Sequence, residues 1–325
     1  MRAAIYEANG PAREVLRLID LPDPVPAAGE VLVRVRASGV NPSDVKKRAA
    51  PPLEFPRIIP HSDGAGVIEA VGPGVSAGRV GERVWLWNAQ WNRAFGTAAE
   101  LVALPQEQAV PLASSLLFEQ GATFGIPLQT ALAALLPFDE LRGAWVLVQG
   151  GTGAVGRFAI QAAKRFGARV VATAGSAEKA ALSLAAGADH AVNYRDPDWV
   201  ARARTLTGGA GFDRIIEVEF GTNAAADADL LRASHGTIAV YGSAAAPLAQ
   251  LEVRRLMFKT ATLRFVLVYD LTPRDRAAVL EAVARLGPGL QIDVAERFPL
   301  EEIVRAQEAQ ESGRAARPGN LVVIP

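Results

Sequence analysis

The chain has 325 residues, half of them hydrophobic, long enough for two domains, and its 34 Lys plus Arg balance 34 Asp plus Glu. Zero net charge argues against a nucleic-acid backbone or an anionic lipid surface as partner. The absence of cysteine excludes disulfides and thiolate metal sites, and His61, His190 and His235 are too scattered to read as a metal centre.

Met1-Arg-Ala-Ala-Ile-Tyr-Glu7 reads as a strand start with no charged lead into an apolar run, so the cytoplasm is the expected compartment. The first third carries short alternating runs, Glu30–Ser38 and Gly66–Gly72, separated by glycine and proline, the pattern of antiparallel strands. After Pro111 the spacing turns helical at Leu116–Ala122 and Thr130–Leu136, and a domain hinge is expected there.

Trp145-Val-Leu-Val148 is a buried-strand pattern that runs into Gly151-x-Gly153-x-x-Gly156 and then into a helical pattern. A dinucleotide-binding turn needs those residues: one glycine for a tight turn, one for close approach of a pyrophosphate, one to pack helix on strand. Strand and helix patterns then alternate through Arg169–Ala174, Asp189–Asn193, Phe212–Val218 and Gly236–Tyr241, with Thr260–Leu267 as a further strand. Ser176 reads as a helix cap, and Asp196-Pro197 as a cap followed by proline at the first helical position. A helix around Leu300–Gln310 and a strand at Gly319–Pro325 return to the first domain.

An NAD-selective site carries an acid about 20 residues beyond the glycine turn, at the end of the second strand. Here the residues are Ala174-Gly175-Ser176. A 2′-phosphate is then not repelled, and Ser176, Lys179, Tyr194 and Arg195 supply donors and positive charge, which predicts NADPH. Taken singly, Lys179 also reads as a solvated helix lysine and Tyr194 as an amphipathic strand cap.

The segments Gly39-Val-Asn-Pro-Ser-Asp44, Ile59–Gly72, Gly81-Glu-Arg-Val84, Gly125–Ala131, the glycine turn, Asn193-Tyr194 and Gly319-Asn-Leu-Val322 resemble the zinc-free medium-chain dehydrogenase/reductase superfamily, within it the zeta-crystallin-like quinone oxidoreductases. The resemblance implies an α/β protein. A mainly β GroES-like catalytic domain (1–123 and 268–325) would flank a Rossmann domain with a doubly wound parallel sheet (124–267), with NADPH in the cleft between them. It assigns Thr130 to the nicotinamide end, Asn41 to the nicotinamide ribose and the turn Gly151, Gly153, Ala154, Val155 and Gly156 to the pyrophosphate. Ser176, Lys179 and Tyr194 match the 2′-phosphate contacts, Tyr241, Gly242 and Ser243 flank the ribose, and Phe265 and Val266 face the carboxamide. Zinc-dependent relatives have a cysteine near the position of Asn41 and a histidine like His61; with the cysteine missing, no metal is expected. Two departures affect detail: Lys46 stands where a tyrosine is frequent, and Asn320 where a lysine is, with Arg317 nearby as a substitute.

The reaction implied is hydride transfer to a quinone, in which the protein orients the partners and stabilises charge on the acceptor oxygen. Asn41 and Lys46 are the polar candidates near the acceptor, with protonation by water equally compatible, although Lys46-Lys47-Arg48 reads more readily as an exposed basic face. Trp87, Trp91, Phe265 and Tyr269 are candidate walls for a planar acceptor, against the alternative of core filling. A 2-enoyl or alkenal double-bond reductase uses the same geometry, and an NADPH-binding protein without catalysis, including an RNA-binding one, is the competing class. A homodimer joined at Thr260–Leu267 is expected from the resemblance, and no membrane or nucleic-acid partner.

Overall fold

The computed structural model describes residues 1–313 and 319–325. In chain order its strands are β1 (Arg2–Ile5), β2 (Arg17–Asp20), β3 (Glu30–Val40), β4 (Asp63–Val71), β5 (Arg83–Leu86), β6 (Leu101–Pro105) and β7 (Ala109–Pro111). They continue with β8 (Trp145–Val148), β9 (Arg169–Ala174), β10 (His190–Asn193), β11 (Arg214–Glu217), β12 (Thr237–Val240), β13 (Thr262–Phe265), β14 (Val294–Pro299) and β15 (Asn320–Ile324). The chain divides into two compact units, Met1–Ile126 with Ile292–Pro325, and Pro127–Gln291.

In the first unit the main sheet runs β14-β15-β3-β4-β5-β7. β3 is long enough to pair β6 along Glu30–Arg34 and β15 along Ser38–Val40, which is how both ends of the chain enter one sheet. Its alternating Val31, Val33 and Val35 pack with Ile68, Val84, Leu86 and Leu104, all buried. Each such side chain contributes about 1.5–3 kcal/mol of hydrophobic stabilisation.

In the second unit parallel strands take the order β10-β9-β8-β11-β12-β13, with β13 at the edge among the described residues. Val146, Leu147 and Val148 of β8 are fully buried, as a strand covered on both faces must be, which explains their unbroken apolar run. The strand order reverses between β8 and β11, and in open parallel sheets ligands bind outside the carboxyl ends at that point.

Residues 268–291, expected with the first domain, fall in the second unit. Helix Pro273–Leu286, capped by Thr272, packs on helix Gln129–Leu135, and Arg276 ties the Val268 carbonyl to the Gln129 side chain. The Asp196-Pro197 cap is displaced: the helix begins at Trp199 behind Asp198, because Asp196 accepts from Asn193 and Arg202 instead. Among the described residues no helix is long and apolar enough to cross a membrane.

Candidate functional site

The turn after β8 is held to β9 by two short bonds: Gly150 N–H donates to Thr173 Oγ1 and Gly151 N–H to the Thr173 carbonyl, both at 3.0 Å. The glycines divide the work differently from the motif reading. The left-handed residue is Gly150, with φ 68°, one position ahead of the motif. Gly151 is a packing glycine, since a Cβ there would stand 2.7 Å from Ala172 Cβ and 2.8 Å from Ser183 Oγ. Gly156 would strike the Gly150 carbonyl at 2.3 Å. Gly153, the N-cap of helix Ala154–Arg165, has only that carbonyl within reach, at 3.4 Å, and otherwise faces open space. The half-buried Ala154 and Val155 follow it in the first helical turn, whose N–H groups lack intrahelical partners and favour an anion.

At the carboxyl end of β9, Ser176 caps helix Ala177–Ala185, its Oγ accepting from Lys179 N–H at 3.2 Å. Tyr194 follows β10 and donates its own N–H to the Ala174 carbonyl. Its hydroxyl lies 2.6 Å from where a Gly175 Cβ would be, so the ring rests over the glycine. Lys179 and Tyr194 are exposed there, Ser176 is half-buried, and no carboxylate stands among residues 174–176; Glu178 is the neighbouring acid in the helix.

Past β12, Tyr241 N–H donates to the Glu217 carbonyl, and a Cβ on Gly242 would meet the Val218 carbonyl at 2.4 Å. Ser243 Oγ accepts from Gly221 N–H at 2.8 Å and donates to the Ala246 carbonyl. The loop is also held by Glu219, whose carboxylate accepts from Ala244, Ala245 and Ala246 at 2.8, 2.9 and 3.1 Å, a role no local pattern signals. Phe265 is 70% exposed at the end of β13, Val266 is buried and bonded to the Val240 carbonyl, and Tyr269 is half-buried. Thr130 is buried in helix Gln129–Leu135.

In the first unit, Asn41 caps helix Pro42–Ala49 and touches two buried acids. Its N–H donates to Asp44 Oδ2 at 2.8 Å and its Nδ2 to Asp63 Oδ2 at 2.9 Å, which Ile126 N–H also reaches at 2.8 Å. Asp63 Oδ1 has no hydrogen-bond partner. Burial pushes the Asp44 carboxyl up to about 7, and burial together with the Asp44 charge pushes Asp63 well above the usual carboxylate range.

His61 is fully buried in a chain of bonds with one direction. Arg48 Nε donates to Gln307 Oε1, Gln307 Nε2 donates to His61 Nε2 at 3.2 Å, His61 Nδ1 donates to Ser38 Oγ at 2.8 Å, Ser38 donates to Thr97, and Thr97 donates to the Asp63 carbonyl. The last donor fixes every earlier one, so His61 is the neutral Nδ1–H tautomer with its Nε2 lone pair engaged. Burial alone holds its titration down near 3. Among the described residues no group of three or more His, Asp or Glu is arranged to hold a metal ion.

Lys46 is exposed on its helix, and it is Lys47 that reaches the tryptophan loop, with Nζ 4.9 Å from the Trp91 ring and 3.5 Å from Gln90 Oε1. Trp87 and Trp91 are half-buried, the Trp87 indole donating to the Glu107 carbonyl, while Trp85 fills the core edge-on to Phe124. Asn320 opens β15 and bonds the Asp293 carbonyl. Arg317 lies outside the described residues.

Residues 27–114 match the family described as "Alcohol dehydrogenase GroES-like domain" and residues 154–285 the family described as "Zinc-binding dehydrogenase". Human quinone oxidoreductase is 33% identical over 333 residues, covering 100% of this chain and 98% of that protein. Among solved structures, mycobacterial Rv1454c complexed with NADPH is similar with a TM-score of 0.84 at 31% identity. Escherichia coli quinone oxidoreductase complexed with NADPH gives 0.85 at 26% identity, and both comparisons cover 100% of each chain.

Proposed function

Since the chain belongs to the quinone oxidoreductase family of the medium-chain dehydrogenase/reductase superfamily, we propose that it is an NADPH-dependent reductase that passes hydride to a quinone without a metal ion. The observation that carries the cofactor reading is the turn at Gly153. It is the one motif glycine whose missing Cβ leaves open space rather than room for protein, as a backbone that meets a pyrophosphate requires. The end of β9 supports the 2′-phosphate: it lacks the acid that holds a ribose diol and offers Ser176, Lys179 and Tyr194.

Bound NADPH would supply the hydride, and quinone plus hydride plus one proton gives the hydroquinone. The protein's part is to bind, orient and exclude water. On this reading Asn41 and Thr130 hold the nicotinamide end, Tyr241, Gly242 and Ser243 the ribose, and Phe265 and Val266 the carboxamide. Arg317 and Asn320 stay as additional contacts. Trp87 and Trp91, with Phe265 and Tyr269, are the proposed acceptor walls, and Lys46 the polar group beside Asn41. A metal-free mechanism is supported by His61, whose lone pair is already engaged by Gln307. The same reading includes a cytoplasmic homodimer, for which β13 offers an edge with exposed Phe265 and Leu267.

Steady-state rates with 1,4-benzoquinone, 9,10-phenanthrenequinone, crotonaldehyde and crotonyl-CoA test the acceptor. Turnover should be highest with the quinones; preference for crotonaldehyde or crotonyl-CoA makes the protein a double-bond reductase. Tight NADPH binding with no turnover on any acceptor makes it a binding protein. A Trp91→Ala variant that kept full turnover and affinity on every accepted quinone would remove Trp91 from the wall.

A further inference from the structure

Beneath the glycine turn lies a pair of carboxyls that the proposed chemistry does not use. Glu217 ends β11 and Asp227 sits in helix Phe220–Leu230; both are fully buried, near enough for the Glu217 charge to raise the titration of Asp227, and Asp227 Oδ2 has no hydrogen-bond partner. Two carboxyls buried this close do not both stay ionised, and one that keeps its proton can donate to the other, since ionised carboxylates only accept. The surroundings say which acid carries it. Glu217 already accepts from Glu219 N–H and from Asn223 Nδ2, whereas Asp227 accepts at Oδ1 from Gln149 Nε2 at 3.0 Å and has an Oδ2 with no acceptor role at all. A proton on Asp227 Oδ2, donated to Glu217, satisfies that orphan oxygen and removes the repulsion.

The pair connects directly to the nucleotide turn. Gln149, whose Nε2 donates to Asp227 Oδ1, accepts at Oε1 from Thr173 Oγ1 at 2.8 Å, and Thr173 Oγ1 accepts from Gly150 N–H at 3.0 Å. Gly150 is the left-handed residue on which the turn pivots. Each bond in the relay has one allowed direction once Asp227 Oδ1 is the acceptor, so the relay holds only while Asp227 keeps its place.

We propose that Asp227 is a protonated positioning residue, which holds the dinucleotide turn in its binding shape through Gln149, Thr173 and Gly150 and releases it when the Glu217–Asp227 pair loses its shared proton. The charged surroundings are consistent with retention of that proton at neutral pH. Glu219 and the Tyr241 phenol face Glu217, and burial and the Glu217 charge both favour the neutral form of Asp227. The cations packed around the end of the helix engage its carbonyls and Asp229 instead: Lys259 with Ala228 and Leu231, Arg204 with the Asp229 carbonyl and Arg255 with the Asp229 carboxylate.

The relay itself needs no cofactor to be tested. In protein labelled with 15N-glycine, the Gly150 amide resonance should move in a single titration as pH rises from neutral to alkaline. In Asp227→Asn it should stay fixed, because the amide keeps both bonds and cannot titrate; in Gln149→Leu, which cuts the relay, it should also stay fixed while the rest of the spectrum is folded. A Gly150 resonance that does not titrate, or titrates identically in Asp227→Asn, overturns the proposal. The consequence for affinity rests on NADPH occupying the turn: its Kd should weaken about tenfold over the same pH step in the parent and not in Asp227→Asn, the scale of one hydrogen bond. Failure of NADPH to bind at any pH would overturn the cofactor reading alone, since the amide titration decides the relay without it.

Discussion

Asn41 Nδ2 donates to Asp63 Oδ2 at 2.9 Å, so the residue proposed to meet the nicotinamide ribose is aimed by an acid that is itself fully buried. Asp63 is crowded from the other side. A Cβ on Gly125 would stand 2.1 Å from Asp63 Oδ1 and 2.9 Å from the Leu86 carbonyl. Gly125→Ala should therefore displace the carboxylate, destabilise the protein by about 1–3 kcal/mol in urea unfolding, and lower turnover with quinone. An unchanged midpoint and rate would show that the contact carries no weight.

The two glycines of the turn should separate stability from binding. Gly151→Ala forces a methyl into Ala172 and Ser183 and should lower the unfolding midpoint, whereas Gly153→Ala projects into open space and should leave it within error. NADPH affinity should fall in Gly153→Ala, measured by nicotinamide fluorescence on a protein of parental stability. Equal affinity in that variant would mean that no phosphate approaches Gly153.

Much of this was legible in the sequence, and the parts that were not have a common cause. The strand–turn–helix pattern at Trp145–Gly156 marked the turn because it is written in consecutive residues. The division of labour among its glycines was not, because it depends on Ala172, Ser183 and the Gly150 carbonyl, which only the folded sheet brings near. Lys46 and Lys47 were indistinguishable in a basic run; the helix turns one outward and the other towards Trp91. Asp63, Glu217, Glu219 and Asp227 carried no signal, since a buried acid is unremarkable until its partners are known. Residues 268–291 read with the first domain in the sequence because nothing local shows that Arg276 bonds Gln129.

Stability should depend on pH through Asp44. Its folded titration, near 7, lies above the unfolded value of about 3.9, so the folded chain binds more protons in that window. The stabilisation it gives is complete below about pH 4 and is lost as pH rises through the folded value. His61 acts in the opposite sense: its stabilisation is present above about pH 6.5 and is lost as pH falls towards its folded value near 3. Comparing the parent with Asp44→Asn isolates the first effect. The parent's advantage should shrink by up to about 1.4 kcal/mol per pH unit across the window, and a difference independent of pH would contradict it.

Lys179 should distinguish the two dinucleotides. Lys179→Ala should raise the Kd for NADPH about tenfold, the scale of one charge-assisted hydrogen bond, and leave that for NADH unchanged. Equal losses for both would place the lysine away from the 2′-phosphate.

The central claim is tested most directly by the ratio of kcat/KM for NADPH over NADH with 9,10-phenanthrenequinone as acceptor. A ratio well above unity, collapsing in Lys179→Ala, is the predicted result. A ratio at or below unity, or no oxidation of either dinucleotide, would contradict the account.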